Sequence, residues 1–188
     1  MTLHDLAVKY NSDKLYFHSY VDKMYPRIFA GMNVRRLLEI GIGYRDLMEP
    51  LVPKYHHGSS LFMWQDYFPR AIIFSCDIRK DALVNEGRIF SRVCDQSKRE
   101  DLESLISAFG GNMDVIIDDG SHQHEHQIFT AGVLLPQVRS GGVYIVEDVM
   151  LDHSEALAKA IGGKVWKGDR RCDDNLVVVR KGAIRTSY

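Results

Sequence analysis

Acids and a histidine gather at the ends of two apolar runs. Ile117-Asp118-Asp119-Gly120-Ser121-His122 closes one, and Glu147-Asp148 closes the next. Carboxylates that converge from adjacent strand ends offer hard oxygen ligands, which suit Mg²⁺ or a similar divalent cation. A cation is also the simplest way to reconcile so many acids in one crevice. His122 follows Asp119 by three residues, and an unperturbed imidazole titrates near neutrality, so it is the candidate general base. Two other readings stand beside this one. In the first, Asp118 and Asp119 form a turn and Asp148 caps a helix. In the second, His122, His124 and His126 hold zinc, although residues two apart on a helix diverge and no cysteine joins them. Glu147 and Asp148 are adjacent and face opposite sides of a regular strand, so both reach one ion only if the strand has already ended.

A second set of residues suits an adenosine ligand. Glu39-Ile40-Gly41-Ile42-Gly43 follows the first apolar run; its glycines allow a tight turn and close approach of a ligand, and Glu39 can accept hydrogen bonds. The third glycine of a dinucleotide fingerprint is absent, because Tyr44-Arg45 follow, and the same glycines also fit a purely structural turn. Asp77 ends the next run, where a carboxylate can accept both ribose hydroxyls or cap a helix. Asp95-Gln96 closes the third, where an amide and a carboxylate could read an adenine edge. The missing glycine and the long interval to Asp77 disfavour a nicotinamide-dependent oxidoreductase.

These residues need a scaffold that brings strand ends together. Apolar runs recur at Arg36–Ile42, Ala71–Ile78, Phe90–Asp95, Met113–Asp118, Gly142–Asp148, Lys164–Trp166 and Asn175–Arg180. Several are continuous rather than alternating, as expected of parallel strands buried on both faces. Between them, Asp101–Phe109, about His124–Arg139 and Ser154–Ile161 read as helices stopped by glycines. The expected fold is α/β, a Rossmann-like three-layer sandwich on a seven-stranded, mostly parallel sheet, with ligands outside the carboxyl ends of the strands. One domain over residues 1–188 is expected, with 1–33 as a helical preface. Net charge is −1, from 24 Lys and Arg against 25 Asp and Glu, so nothing favours nucleic acid or an anionic membrane. No apolar stretch approaches a bilayer span and no secretory leader is evident. The three cysteines lack paired spacing, so a reducing cytoplasm is the expected compartment.

From Leu37 to Val149 the chain resembles the metal-dependent sugar O-methyltransferases of the macrocin and mycinamicin type, within the class I S-adenosylmethionine-dependent methyltransferases. The resemblance rests on Leu38-Glu-Ile-Gly-Ile-Gly43, Gly58-Ser-Ser-Leu-Phe-Met-Trp64, Tyr67-Phe-Pro69, Cys76-Asp-Ile78, Cys94-Asp-Gln-Ser97, Ile116-Ile-Asp-Asp-Gly-Ser-His122 and Val143-Tyr-Ile-Val-Glu-Asp148. Ser12-Asp-Lys14, His18 and Tyr20 echo that family's substrate-side opening. The resemblance implies that Glu39, Gly41 and Gly43 frame the methionine part of S-adenosylmethionine, with Ser60, Leu61 and Trp64 close by. It implies that Asp77 holds the ribose, that Asp95 and Gln96 hold the adenine side, and that Asp118 is another cofactor-binding residue. Asp119, Glu147 and Asp148 would hold Mg²⁺, and His122 would take the proton from the hydroxyl of a sugar or natural-product acceptor. An alternative keeps the bound cofactor but has the metal and His122 promote an elimination, isomerisation or cyclisation. The segment Tyr44–His57, with Pro50, Pro53 and His56-His57, is expected as an insertion forming a partial lid, and a homo-oligomer in which a neighbouring subunit completes the site is a further expectation.

Overall fold

The computed structural model describes residues 1–52 and 54–182, so Pro53 of the expected insertion and residues 183–188 of the expected domain lie outside the described residues. The seven expected runs form seven strands: β1 Arg36–Ile40, β2 Ile72–Asp77, β3 Ile89–Val93, β4 Met113–Asp118, β5 Val138–Val146, β6 Lys164–Lys167 and β7 Asn175–Arg180. They make one sheet in the order β3-β2-β1-β4-β5-β7-β6. β1 to β5 run parallel, and β7 is antiparallel to both β5 and β6. The parallel strands therefore all end at one edge, where the candidate site residues follow them.

Continuous hydrophobicity serves both faces because successive side chains alternate across the sheet. Leu37, Val115, Ile117, Val143 and Ile145 point into one core, and Leu38, Ile40, Ile116, Tyr144 and Val146 point into the other. The second face is covered by α6 (Arg99–Phe109), α7 (His124–Leu134) and α8 (Leu151–Ile161), through Leu102, Leu105, Ala131, Leu134 and Leu157. The first face is covered by α5 (Ser59–Tyr67) and by the N-terminal segment. That segment contains α1 (Leu3–Tyr10), α2 (Asp13–Tyr16), a π-turn at Tyr20–Met24 and α3 (Tyr25–Ile28). Leu3, Leu6, Leu15, Tyr20, Tyr25, Ile28 and Phe29 are all buried there, so the preface is a structural layer of the sandwich.

One expectation changes. The helix expected to reach Arg139 stops at Leu134, passes through a 3₁₀ turn at Leu135–Gln137, and is already strand at Val138. Pro136 cannot continue the helix, and Val138 pairs with Met113 before a register shift that Gly141-Gly142 accommodates. Among the described residues of the Tyr44–His57 insertion, Arg45–Met48 (α4) is helical, and β2 is followed by a 3₁₀ turn at Lys80–Ala82.

Candidate active site

The ends of β1 to β4 and the turn after β5 border one cavity of about 450 Å³. Gly41, Gly43, Ser60, Asp77, Asp95, Gln96, Asp119, His122 and Asp148 all line it. Gly41 is indispensable to this closure: its φ is +88°, and a Cβ there would stand 2.0 Å from the Asp119 carbonyl oxygen. Asp77 braces the glycine turn, accepting Ile42 N–H at 3.0 Å through Oδ2 and Arg79 N–H at 2.9 Å through Oδ1. Asp95 accepts Ser97 N–H at 3.0 Å, and its Ser97 and Lys98 partners hold the carboxyl below its ordinary pKa against a weak burial effect.

Gln96 is engaged differently from the expectation. Its Nε2 donates to Asp118 Oδ1 and Thr130 Oγ1, each at 3.0 Å, and its Oε1 accepts Ser121 N–H at 2.6 Å. The amide thus ties the end of β3 to the end of β4, and its polar atoms face these partners instead of a base. Asp118 lies behind it, buried, also accepting from Tyr144 Oη at 3.2 Å; burial pushes its pKa up to about 7. Glu39, Leu61 and Trp64 likewise stand behind the cavity wall, each fully buried. Trp64 Nε1 donates to Glu39 Oε2 at 2.9 Å and Ser60 Oγ to the same oxygen at 3.1 Å, while Leu61 belongs to the core. Burial raises Glu39 to about 7.

The expected ligands Asp119, Glu147 and Asp148 are held by different partners. Lys14, on α2 and 1% exposed, donates from Nζ to Asp119 Oδ2 and Glu147 Oε2, both at 2.6 Å, and lies 3.2 Å from Glu39 Oε1. Tyr25 Oη donates to the other Glu147 oxygen. Both oxygens of Glu147 therefore face the N-terminal layer. Asp148, with φ +52°, also meets this layer, where Tyr20 Oη donates to its Oδ1 at 2.9 Å, and β5 has ended at Val146, before both acids. Two groups that share Asp119 bring ligating atoms together, Asp119–His122–Asp148 and Glu39–Asp119–Glu147, and the expected ligands Asp119, Glu147 and Asp148 are spread over both. In each, one ligating atom per residue lies within 4.8 Å of the others. The first borders the cavity; the second holds the Lys14 ammonium.

His122 also sits in the left-handed region, at φ +57°, which turns its ring back over the acids. Its Nε2 is 3.3 Å from Asp119 Oδ1 and its Nδ1 3.5 Å from Asp148 Oδ2. Burial lowers the imidazole pKa, but the two carboxylates outweigh it and hold it at about 10. Asp119 is pulled below its ordinary range by Lys14 and His122 in spite of burial, whereas burial raises Asp148 and Glu147. The donor set fits a hard divalent ion. The three-histidine zinc arrangement does not form: His126 Nδ1 is 2.9 Å from Ser121 Oγ, and His124 lies against His153 with ring centroids 5.0 Å apart. Nor does Asp148 cap α8, whose N-cap position is Met150.

Lys14, Tyr20 and Tyr25 escaped the reading of the residues one by one. They lie more than one hundred residues from Asp119, Glu147 and Asp148, and no local spacing marks them. Only the resemblance singled out Lys14, His18 and Tyr20. His18 stacks on the Tyr20 ring at 4.6 Å, with Nε2 3.6 Å from Asp148 Oδ1.

No family model matches the chain. It is 35% identical over 157 residues to 8-demethyl-8-alpha-L-rhamnosyl tetracenomycin-C 2'-O-methyltransferase of Streptomyces olivaceus, across 82% of this chain and 39% of that protein. It is 35% identical over 153 residues to mycinamicin VI 2''-O-methyltransferase of Micromonospora griseorubida, across 78% of this chain and 36% of that protein. Among solved structures, it is similar to the MycE methyltransferase of the mycinamycin biosynthetic pathway in complex with Mg, SAH and mycinamycin VI. That match has a TM-score of 0.77 and 26% identity, over 100% of this chain and 56% of the other. The chain spans well under half the length of these curated relatives. The sheet order and flanking helices are those of the Rossmann-like methyltransferase fold.

Proposed function

We propose that this homologue of the macrolide and tetracenomycin sugar O-methyltransferases is itself an S-adenosylmethionine- and divalent-metal-dependent O-methyltransferase, acting on a hydroxyl of a sugar or other natural-product small molecule. One observation carries this reading: a single cavity runs from the glycine turn and Asp77 to the Asp119–His122–Asp148 group. Bound there, S-adenosylmethionine supplies an electrophilic methyl group, and a divalent cation polarises the acceptor hydroxyl while taking up charge from Asp119 and Asp148.

The chain's own residues do the rest. Gly41 lets the backbone close against the ligand, and Asp77 keeps lone pairs for the ribose hydroxyls beside its two backbone bonds. Asp95 faces the adenine side. Gln96 and Asp118 position that wall from behind, and Trp64 and Ser60 position Glu39. Asp119 and Asp148 hold the cation on the cavity side, and Glu147 backs them through Lys14. With Asp119 and Asp148 engaged by the cation, the carboxylates that raise the His122 pKa weaken their hold on its proton, which leaves the imidazole free to accept the acceptor's proton.

The test has two readouts. Calorimetry with S-adenosylhomocysteine should show one saturable site, weakened by Asp77→Ala and nearly unaffected by His122→Ala. Incubation with S-adenosylmethionine, Mg²⁺ and deoxysugar glycosides lacking O-methyl groups should yield methylated product and S-adenosylhomocysteine in equal amounts, and His122→Ala should abolish this. Failure to bind S-adenosylhomocysteine would remove the cofactor assignment. Turnover of His122→Ala near the wild-type rate would remove the base.

A further inference from the structure

We propose that Asp13, on the N-terminal helix α2, receives the α-ammonium group of the cofactor's methionine part. The inference rests on the S-adenosylmethionine reading above and assigns a contact within it. An amino-acid ammonium enclosed in a cavity needs an acceptor, because a desolvated charge left unpaired is costly. Glu39, the acid expected to frame the methionine part, is already engaged. It is fully buried, its Oε2 accepts from Trp64 and Ser60, and its Oε1 faces the Lys14 ammonium at 3.2 Å. Asp77 and Asp95 stand at the ends of β2 and β3, on the adenosine side, and Asp119 and Asp148 flank His122. The remaining acid that lines the cavity is Asp13. Its carboxylate is half-buried and has no hydrogen bond or ion pair among the described residues. Asp13 shares the cavity wall with Gly41, Tyr55, Ser59 and Ser60. After burial, its charge is the next cause that lifts the Tyr55 hydroxyl above its ordinary pKa, and that hydroxyl donates to Ile42 O at 3.2 Å. The carboxylate therefore stands beside the glycine turn, at the methionine end.

The neighbours of Asp13 in the chain fix its aim. Asp13 and Lys14 are consecutive on one helical turn, so their side chains leave it in different directions. Lys14 points inward, bonded at 2.6 Å to both Asp119 and Glu147, while Asp13 borders the cavity. Before α2, Asn11 Nδ2 donates to Lys54 O at 3.0 Å, which ties this segment to the insertion. After Asp13, the β6–β7 loop clamps the chain: Arg170 donates to the carbonyl oxygens of Leu15 and His18, and Asp174 accepts Ser19 N–H and Ser19 Oγ–H, both at 2.8 Å. A carboxylate held in place before the ligand arrives loses little to reordering, so a charge-assisted bond to an ammonium keeps most of its strength. Asp13 is thus a binding residue for the amino-acid end of the cofactor, apart from the chemistry at His122.

Calorimetry on the full chain tests this with S-adenosylhomocysteine, its des-amino analogue, and 5'-methylthioadenosine, which lacks the whole amino-acid end. Wild type should prefer S-adenosylhomocysteine to the des-amino analogue by about 10–100-fold, the worth of a hydrogen bond between charged groups. Asp13→Asn keeps the side-chain shape, and no partner in the described residues depends on the carboxylate, so the variant should fold as wild type does. It should bind S-adenosylhomocysteine about 10–100-fold more weakly, and the other two ligands within about 2-fold of wild type. Unchanged affinity of Asp13→Asn for S-adenosylhomocysteine overturns the proposal, as does equal weakening of all the ligands. A preference lost in Glu39→Gln but kept in Asp13→Asn gives the ammonium to Glu39 and overturns it too. Failure of wild type to bind S-adenosylhomocysteine removes the cofactor reading itself, an outcome distinct from these.

Discussion

Substitution of Gly41 by alanine should be far more costly than the same change at Gly31, and the difference measures how tightly β1 and β4 close beneath the site. Both glycines have positive φ, +88° at Gly41 and +74° at Gly31. That conformation costs an alanine about 1–2 kcal/mol, partly offset by about 0.4–1 kcal/mol from reduced freedom of the unfolded chain. At Gly31 nothing lies within 4 Å of a new Cβ, so about 1 kcal/mol is the whole expected effect. At Gly41 the Cβ would stand 2.0 Å from the Asp119 carbonyl oxygen, and real Cβ contacts do not fall below 3.0 Å. Backbone must therefore retreat by about 1 Å, which threatens two bonds that join the strand ends, Asp119 N–H to Ile40 O at 2.9 Å and Gly41 N–H to Cys76 O at 2.8 Å. Loss of two such bonds adds about 1–3 kcal/mol, for a total of about 2–4 kcal/mol. Urea unfolding with an unchanged m-value reads the stabilities, and calorimetry with S-adenosylhomocysteine reads the displaced Asp119 side of the cavity. Equal costs at the two positions, within about 0.5 kcal/mol, would refute the close approach inferred at Gly41.

Asp174→Ala should cost about 2–4 kcal/mol, because two buried donors, Ser19 N and Oγ, and two part-buried ones, Asp169 N and Arg170 N, lose their acceptor. Amide exchange in residues 12–24 should rise with it, and unchanged exchange there would show that the clamp does not hold the N-terminal layer. In metal-free protein, Asp118 binds its proton more tightly folded than unfolded, with a pKa near 7 against 3.8. Between those values the native state holds more protons, so stability falls as pH rises. Asp118→Asn should flatten that fall, as denaturant midpoints across the interval will show; an unchanged slope would place the titration elsewhere.

The seven strands were legible because burial on both faces leaves continuous Val, Ile and Leu runs such as Val115–Ile117 and Val143–Val146. Parallel order then puts Gly41, Asp77, Asp119 and Asp148 at one edge, so proximity to a single cavity could be anticipated from chain position alone. The limits of the helix after His124 were less legible. Periodicity carried it to Arg139, whereas Pro136 and the pairing of Val138 with Met113 end it earlier.

Side-chain direction was not legible. Gln96 could have faced a base, but its amide turns to Asp118, Thr130 and Ser121. The partners of Glu147 and Asp148 were equally hidden: Lys14 and Tyr25 hold one, and Tyr20 holds the other. What this sequence determines by itself is local: which stretches become strands, and which chemical groups follow them. Only the tertiary structure decides which of those groups face each other, because the deciding partners come from a layer 105 to 133 residues away along the chain. Burial multiplies their effect, since an ammonium enclosed among carboxylates sets their charges and orientations far more strongly than it would in water.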